Sequence, residues 1–206
     1  MNRMPKLLLA SANLGKVKEY RFLLADLGYQ ITTLAEQGIG SIAIESGNSY
    51  EQNAQMKAAS YAKLSQLVSL ADDSGLEVDV LGGEPGIHSA RFAGRDATDL
   101  DRIRALLARL NGVAWERRTA RFKCAIAIAK LENELELCSG ECSGIIALEP
   151  RGDNGFGYDP IFYLPELGKT MAELPLAIKN QISHRAQASQ KARQILRRFI
   201  DYGSRQ

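Results

Sequence analysis

Histidine is almost absent from this chain. There are two, His88 and His184, and neither sits in a spacing that would complete a nucleophile–base–acid triad. Cysteine is scarce as well: Cys124, Cys138 and Cys142 are odd in number and form no C-x-x-C pair. That argues against a disulfide scaffold or a thiolate metal site and for reduced thiols in a cytosolic protein. No apolar run approaches membrane length; the N-terminal one around Leu7–Ala10 is short and has no cleavage-site pattern, so it reads as a buried strand. Charge of one sign is missing too, with 26 basic residues against 24 acidic. A net charge of +2 gives no basis for a nucleic-acid-binding surface, so any anion site must be local. Repeats, low-complexity tracts and Pro/Gly/Ser-rich linkers are all lacking.

What remains is a 206-residue chain with 45% hydrophobic and 24% charged residues, enough for one domain with a core, 1–206. Its first half alternates strand and helix signals. Lys6–Ser11 reads as a strand, Leu14–Leu27 as a helix closed by Gly28, and Gln30–Leu34 as a second strand. Ser49 with Gln52 forms a capping box for a helix to about Gln66. Val68–Ala71 is a short buried strand ending at Asp72-Asp73, and Thr98 with Asp101 caps a helix over Leu100–Leu110. Arg121–Lys130 alternates as a long strand; shorter strands follow at Glu134–Cys138 and Ser143–Leu148, and a helix runs from Ser183 to about Tyr202. Hairpin and crossover signals together predict an α/β fold with a mixed sheet flanked by helices.

Polar clusters fall where these elements end. In Ser11-Ala12-Asn13-Leu14-Gly15-Lys16 a strand hands over to a helix N-terminus, whose unpaired N–H groups and dipole favour an anion beside the lysine charge. An Asn N-cap with a solvated lysine explains the same residues. Asp72 and Asp73 are adjacent carboxylates before Ser74-Gly75; burying both requires a cation, and Mg²⁺ with oxygen ligands suits them. An Asx turn is the alternative. Glu45 precedes Ser46-Gly47 and gains meaning only as a partner for the Asp pair. In Gly155-Phe156-Gly157-Tyr158-Asp159, Phe156 or Tyr158 offers a stacking face for a planar base, and Asp159 a carboxylate for a sugar or a base edge. Lys179, His184 and Arg185 add donors near the start of the last helix. Carboxylates for a metal, cations for phosphate and aromatics for a base, without an activated side-chain nucleophile, point to water attacking a phosphoanhydride. A nucleotide-binding regulator without catalysis, or a pyrophosphatase for pyrimidine nucleotides, would use part of the same set.

The stretches SANLGK, ADDSGLEVDVLGGEPGIHSARFAG, GFGYDPIF and KNQISHR resemble the inosine triphosphate pyrophosphatase family, from about Lys6 to about Arg198. The resemblance implies an elongated mixed sheet with helices around two lobes and a substrate cleft between them. It also implies a cytoplasmic homodimer that uses Mg²⁺ to cleave ITP, dITP or XTP to the monophosphate and pyrophosphate. By resemblance, Ser11, Ala12, Asn13, Leu14, Gly15 and Lys16 bind the triphosphate. Asp73 is the catalytic base, Glu45 and Asp73 hold the metal, and Ser74 contacts substrate. Phe156, Gly157, Tyr158 and Asp159 contain base and sugar, while Lys179, His184 and Arg185 read the 6-keto purine. Ala12 stands where the family commonly has Gly, and His88 where Tyr is usual.

Overall fold

A computed structural model describes residues 4–40, 46–130 and 134–203. Seven strands form one mixed sheet in the order β2-β1-β3-β4-β5-β6-β7: β1 (Lys6–Leu9), β2 (Gln30–Thr33), β3 (Val68–Val78), β4 (Thr119–Ala129), β5 (Leu135–Ile146), β6 (Phe162–Leu164) and β7 (Lys169–Thr170). β1 pairs in parallel with β2 and β3, whereas β6 pairs antiparallel with β5 and β7. The helices are α1 (Leu14–Leu23), α2 (Tyr50–Ser65), α3 (Asp99–Arg109), α4 (Leu176–Ile182) and α5 (His184–Gly203).

The chain divides into two compact units. The first is Met1–Asp73, Cys124–Gly140 and Arg185–Gln206; the second is Ser74–Lys123 and Glu141–His184. Each has its own core. In the first, Leu7, Leu9 and Leu70 of the parallel strands and Ile126 and Ile128 of β4 bury against Tyr20 of α1, Leu24 just past its end, and Ala188, Ala192 and Leu196 of α5. In the second, Leu76, Val78, Phe122 and Ile146 pack with Ile103 and Leu106 of α3, with Leu110 just past its end, and with Ile161, Phe162 and Met171. Each fully buried Leu or Ile contributes about 1.5–3 kcal/mol relative to exposure.

Local chemistry explains most boundaries. Asn13 caps α1 by accepting from the Lys16 amide. Ser49 caps α2 by accepting from the Gln52 amide, while the Gln52 side chain accepts from Asn48, one residue earlier than a reciprocal capping box requires. Thr98 and Asp101 make both bonds of a capping box at α3.

Three expected boundaries are corrected. α1 ends at Leu23, and Gly28 lies beyond it in a further turn, with φ of +75°. β3 does not end at the Asp pair but runs through Asp72, Asp73, Ser74 and Gly75 to Val78, because Leu76 and Val78 continue its buried pattern. The two strands expected at Glu134–Cys138 and Ser143–Leu148 are one continuous β5. Helix α4 was not apparent from the pattern.

Candidate active site

Successive side chains on a strand point to opposite faces. Asp72 and Asp73 are neighbours on β3, so each meets a different helix of the first unit. This placement relieves the crowding that two adjacent carboxylates would otherwise suffer.

Asp72 shares its face with Leu70 and meets α1. Positions 16, 19 and 20 of that helix lie on one buried side, at the i, i+3 and i+4 spacing that brings side chains together. Lys16 Nζ lies 2.9 Å from Asp72 Oδ2. Arg185, at the start of α5, places its guanidinium 2.7 Å from Glu19 and 3.4 Å from Asp72 Oδ2. Cys124 on β4 lies 3.8 Å from both Asp72 Oδ2 and the Tyr20 hydroxyl. Burial alone would raise the Asp72 pKa, but Lys16, Arg185 and Lys57 outweigh it and hold the carboxyl well below the ordinary range. Burial, with Asp72 adding to it, pushes the Cys124 thiol up to about 12, so it stays protonated. Asp72 Oδ1 is buried, and no group among the described residues hydrogen-bonds it.

Asp73 faces α2 instead. Lys57 Nζ lies 2.8 Å from Asp73 Oδ1, and Asn53 Nδ2 donates to Oδ2 at 3.1 Å. Residues 53 and 57 are one helical turn apart. Burial raises the Asp73 pKa and outweighs Lys57, Lys16 and Asn53, which lower it. A raised carboxylate suits a general base better than the depressed Asp72 does.

The Asn N-cap is present, but Lys16 is ion-paired and mostly buried, not solvated. Ser11 Oγ accepts from the Asn13 amide, and Ala12, Asn13 and Leu14 are exposed beside half-buried Gly15.

The second unit holds the aromatic cluster. Asp159 is 2% exposed and accepts from the Phe156 amide and from Lys179 Nζ. The Lys179 ammonium lies 4.8 Å from the centre of the Phe156 ring. The Gly157 amide donates to Asp99 of α3 at 2.6 Å. Tyr158 belongs to the core and donates its hydroxyl to the Ser89 carbonyl, so of the two aromatics the half-buried Phe156 is the one with a face to offer. His184 is buried and stacks on Phe122 at 4.8 Å. Ser74 is half-buried on β3. A Cβ at Gly155, where φ is +79°, would lie 2.0 Å from Asp159 Oδ2. Gly155→Ala is therefore expected to cost about 1–3 kcal/mol from backbone strain alone, with the clash added; thermal unfolding measures it, and an unchanged melting temperature would contradict this geometry.

Among the described residues no group of three or more His, Cys, Asp or Glu is gathered for a metal. Glu45, expected as a ligand, lies outside the described residues. The Asp73 carboxylate is a hard oxygen donor, and Mg²⁺ takes only one or two protein carboxylates alongside phosphate and water, so this residue fits it.

Sequence reasoning missed Glu19, Asn53, Lys57, Asp99 and Cys124. For Asn53 and Lys57 a signal existed: both fall on the buried stripe of α2 with Ala54, Ala58, Tyr61 and Ala62, where polar residues need a reason to be.

A profile of the Ham1 family matches residues 7–195. A dITP/XTP pyrophosphatase of Desulforamulus reducens is 48% identical over 194 residues, covering 94% of this chain and 96% of that one. The Bacillus subtilis protein of the same name is 46% identical, covering 94% and 98%. Among solved structures, a HAM1 protein from Coxiella burnetii superposes with a TM-score of 0.84 at 42% identity over 94% of this chain and 98% of that one. The Staphylococcus aureus Ham1 protein gives 0.81 at 40% over 93% and 97%. With the profile spanning nearly the whole chain and relatives this similar over almost their full lengths, the chain belongs to the Ham1 family.

Proposed function

We propose that this chain hydrolyses non-standard purine nucleoside triphosphates, ITP, dITP and XTP, to the monophosphate and pyrophosphate, and so removes them from the pool that feeds DNA and RNA synthesis. The observation that carries this reading is the division of labour on β3. Asp72 organises the cations Lys16 and Arg185, and Asp73 presents a raised carboxylate beside Lys57. The names of the family relatives, dITP/XTP pyrophosphatases, support the substrate class.

Release of pyrophosphate breaks the anhydride between the α- and β-phosphorus, here by water attacking the α-phosphorus. Asp73 takes a proton from the attacking water, and the pyrophosphate leaves with the electron pair of the broken P–O bond. Lys16 and Lys57 neutralise charge on the phosphate oxygens, with the loop Ser11–Gly15 contributing backbone donors. Asp73 and Glu45 are the residues that would hold Mg²⁺, which supplies charge neutralisation and phosphate orientation when bound. In this reading Phe156 stacks on the base, Gly157, Tyr158 and Asp159 shape its surroundings, and Ser74, Lys179, His184 and Arg185 complete substrate recognition. The whole chain acts as one catalytic domain, cytoplasmic and homodimeric, with Mg²⁺ required. No helix among the described residues is long and apolar enough to cross a membrane.

Selectivity follows from hydrogen bonding. A donor such as Lys179 satisfies the 6-keto oxygen of hypoxanthine or xanthine but opposes the 6-amino group of adenine. An unpaired buried donor costs roughly 1–3 kcal/mol, or about tenfold to a hundredfold in discrimination. Lys179→Met is expected to reduce the ITP-over-ATP ratio of kcat/KM by that factor; an unchanged ratio would remove Lys179 from the base-reading role. The reading as a whole is tested by product analysis with ITP, XTP, dITP, GTP, ATP and dTTP, with Mg²⁺ and with chelator. Mg²⁺-dependent pyrophosphate from ITP and XTP, far above GTP and ATP, is the expected result. Orthophosphate, or binding without turnover, would overturn it.

A further inference from the structure

Asn53 is 1% exposed and is the fourth residue of α2, on the buried side of that helix. Asparagine is unfavourable there unless its carboxamide is fully used. Here both ends are used. Its Nδ2 donates to Asp73 Oδ2 at 3.1 Å, and its Oδ1 accepts the Gly47 amide at 2.9 Å. The orientation of the amide is dictated by chemistry, because flipping it would set oxygen against carboxylate and N–H against N–H. An ionised carboxylate has no donor for Asp73, and an alkyl group has neither donor nor acceptor. Gly47 is equally constrained, since a Cβ there would lie 2.8 Å from Asn53 Oδ1 and from Gln52 Cβ.

We propose that Asn53 is a positioning residue of the proposed hydrolysis: its carboxamide fixes the Asp73 carboxylate on one side and ties it to the Gly47 backbone on the other. Lys57 fixes the remaining oxygen of Asp73, so the carboxylate is held at both oxygens by side chains one helical turn apart. Lys57 also brings a charge to a phosphate, whereas Asn53 is neutral and buried and acts through Asp73 and the Gly47 backbone. Gly47 lies two residues along the sequence from Glu45, the other proposed metal ligand, so one side chain braces both the base and the segment that follows Glu45.

This inference rests on the functional reading above, and its test separates the two. Asn53→Leu keeps the branching at Cγ, at some cost in added volume, and removes both bonds. With ITP, kcat is expected to fall about tenfold to a hundredfold, as for a modestly misplaced catalytic group, while KM for ITP changes less than threefold. Mn²⁺ binding, read by electron paramagnetic resonance at fixed pH without nucleotide, is expected to weaken at least fivefold. Gly47→Ala attacks the other end of the same brace and is expected to show the same split at smaller size; it carries the test if Asn53→Leu does not fold. Circular dichroism and thermal unfolding establish the folded fraction of each variant. Wild-type kcat and Mn²⁺ affinity in folded Asn53→Leu, or a kcat loss that only tracks lost folded protein, would overturn the proposal alone. A wild-type protein that neither cleaves ITP nor binds Mn²⁺ would overturn the functional reading and this proposal with it.

Discussion

Asp73→Asn is expected to lower kcat for ITP by about 10²–10⁴-fold, the range that a positioned general base supplies. The substitution is nearly isosteric. An Asn at this position still offers an oxygen to Lys57 Nζ or Asn53 Nδ2, but its NH2 faces the other donor, so some loss of stability accompanies the change and the kinetics are read on folded protein. What disappears is the ability to take a proton from water, together with one negative charge. Steady-state kinetics on folded variant, with melting temperature as the control, makes the measurement. KM should move little if Lys16 and Lys57 carry the phosphate contacts. A variant retaining more than a tenth of wild-type kcat would show that the base lies elsewhere. Asp72 would not be an attractive replacement, since its carboxyl is buried, saturated at Oδ2 and held below the ordinary carboxylate range by Lys16 and Arg185 against the opposing effect of burial.

Asp72→Asn tests the other half of the division and is expected to act on stability first. Asp72 is the anion that Lys16 and Arg185 share, and Arg185 itself is 1% exposed. Removing one partner of a buried ion pair leaves uncompensated charge, at a cost of about 3–5 kcal/mol. For a chain of this size that corresponds to roughly 6–20 °C in melting temperature. The pH dependence has a definite sign. The folded-state pKa of Asp72 lies below the ordinary value of 3.8, so its contribution is present above about pH 4 and is lost as pH falls toward the folded-state value. The stability gap between wild type and Asp72→Asn should therefore be widest near neutral pH and shrink on acidification below about pH 4. A gap that widens toward acid, or an unchanged melting temperature at pH 7, would sink the assignment of Asp72 as the anchor. Glu19, 2.7 Å from Arg185, would then be the stronger partner.

The two aspartates show where sequence reading succeeded and where it stopped. The pair stood out because adjacent carboxylates beside buried apolar residues require compensation. Their separation was not legible, because it depends on β3 continuing past them to Val78 rather than stopping, and the Gly75 that suggested a turn is accommodated inside the strand. Once the strand continues, alternation sends Asp72 to α1 and α5 and Asp73 to α2. The same holds for Lys16. Its place at the start of a capped helix was visible from Asn13, but its engagement with Asp72 joins residues 56 positions apart along the chain.

The sequence by itself determined the mixed α/β class, the capped starts of α1, α2 and α3 and, through long collinear motifs, the family. These rest on local propensities, hydrogen-bond caps and periodicities that a few neighbouring residues set among themselves. The tertiary structure alone decided that Tyr158 is core while Phe156 keeps a face, and that Arg185 answers Glu19 and Asp72. It also decided that Asn53 and Lys57 hold Asp73. Each of these is a pairing of groups distant in sequence, fixed by which strand lies beside which helix, and no local pattern encodes a partner that the chain must fold to meet.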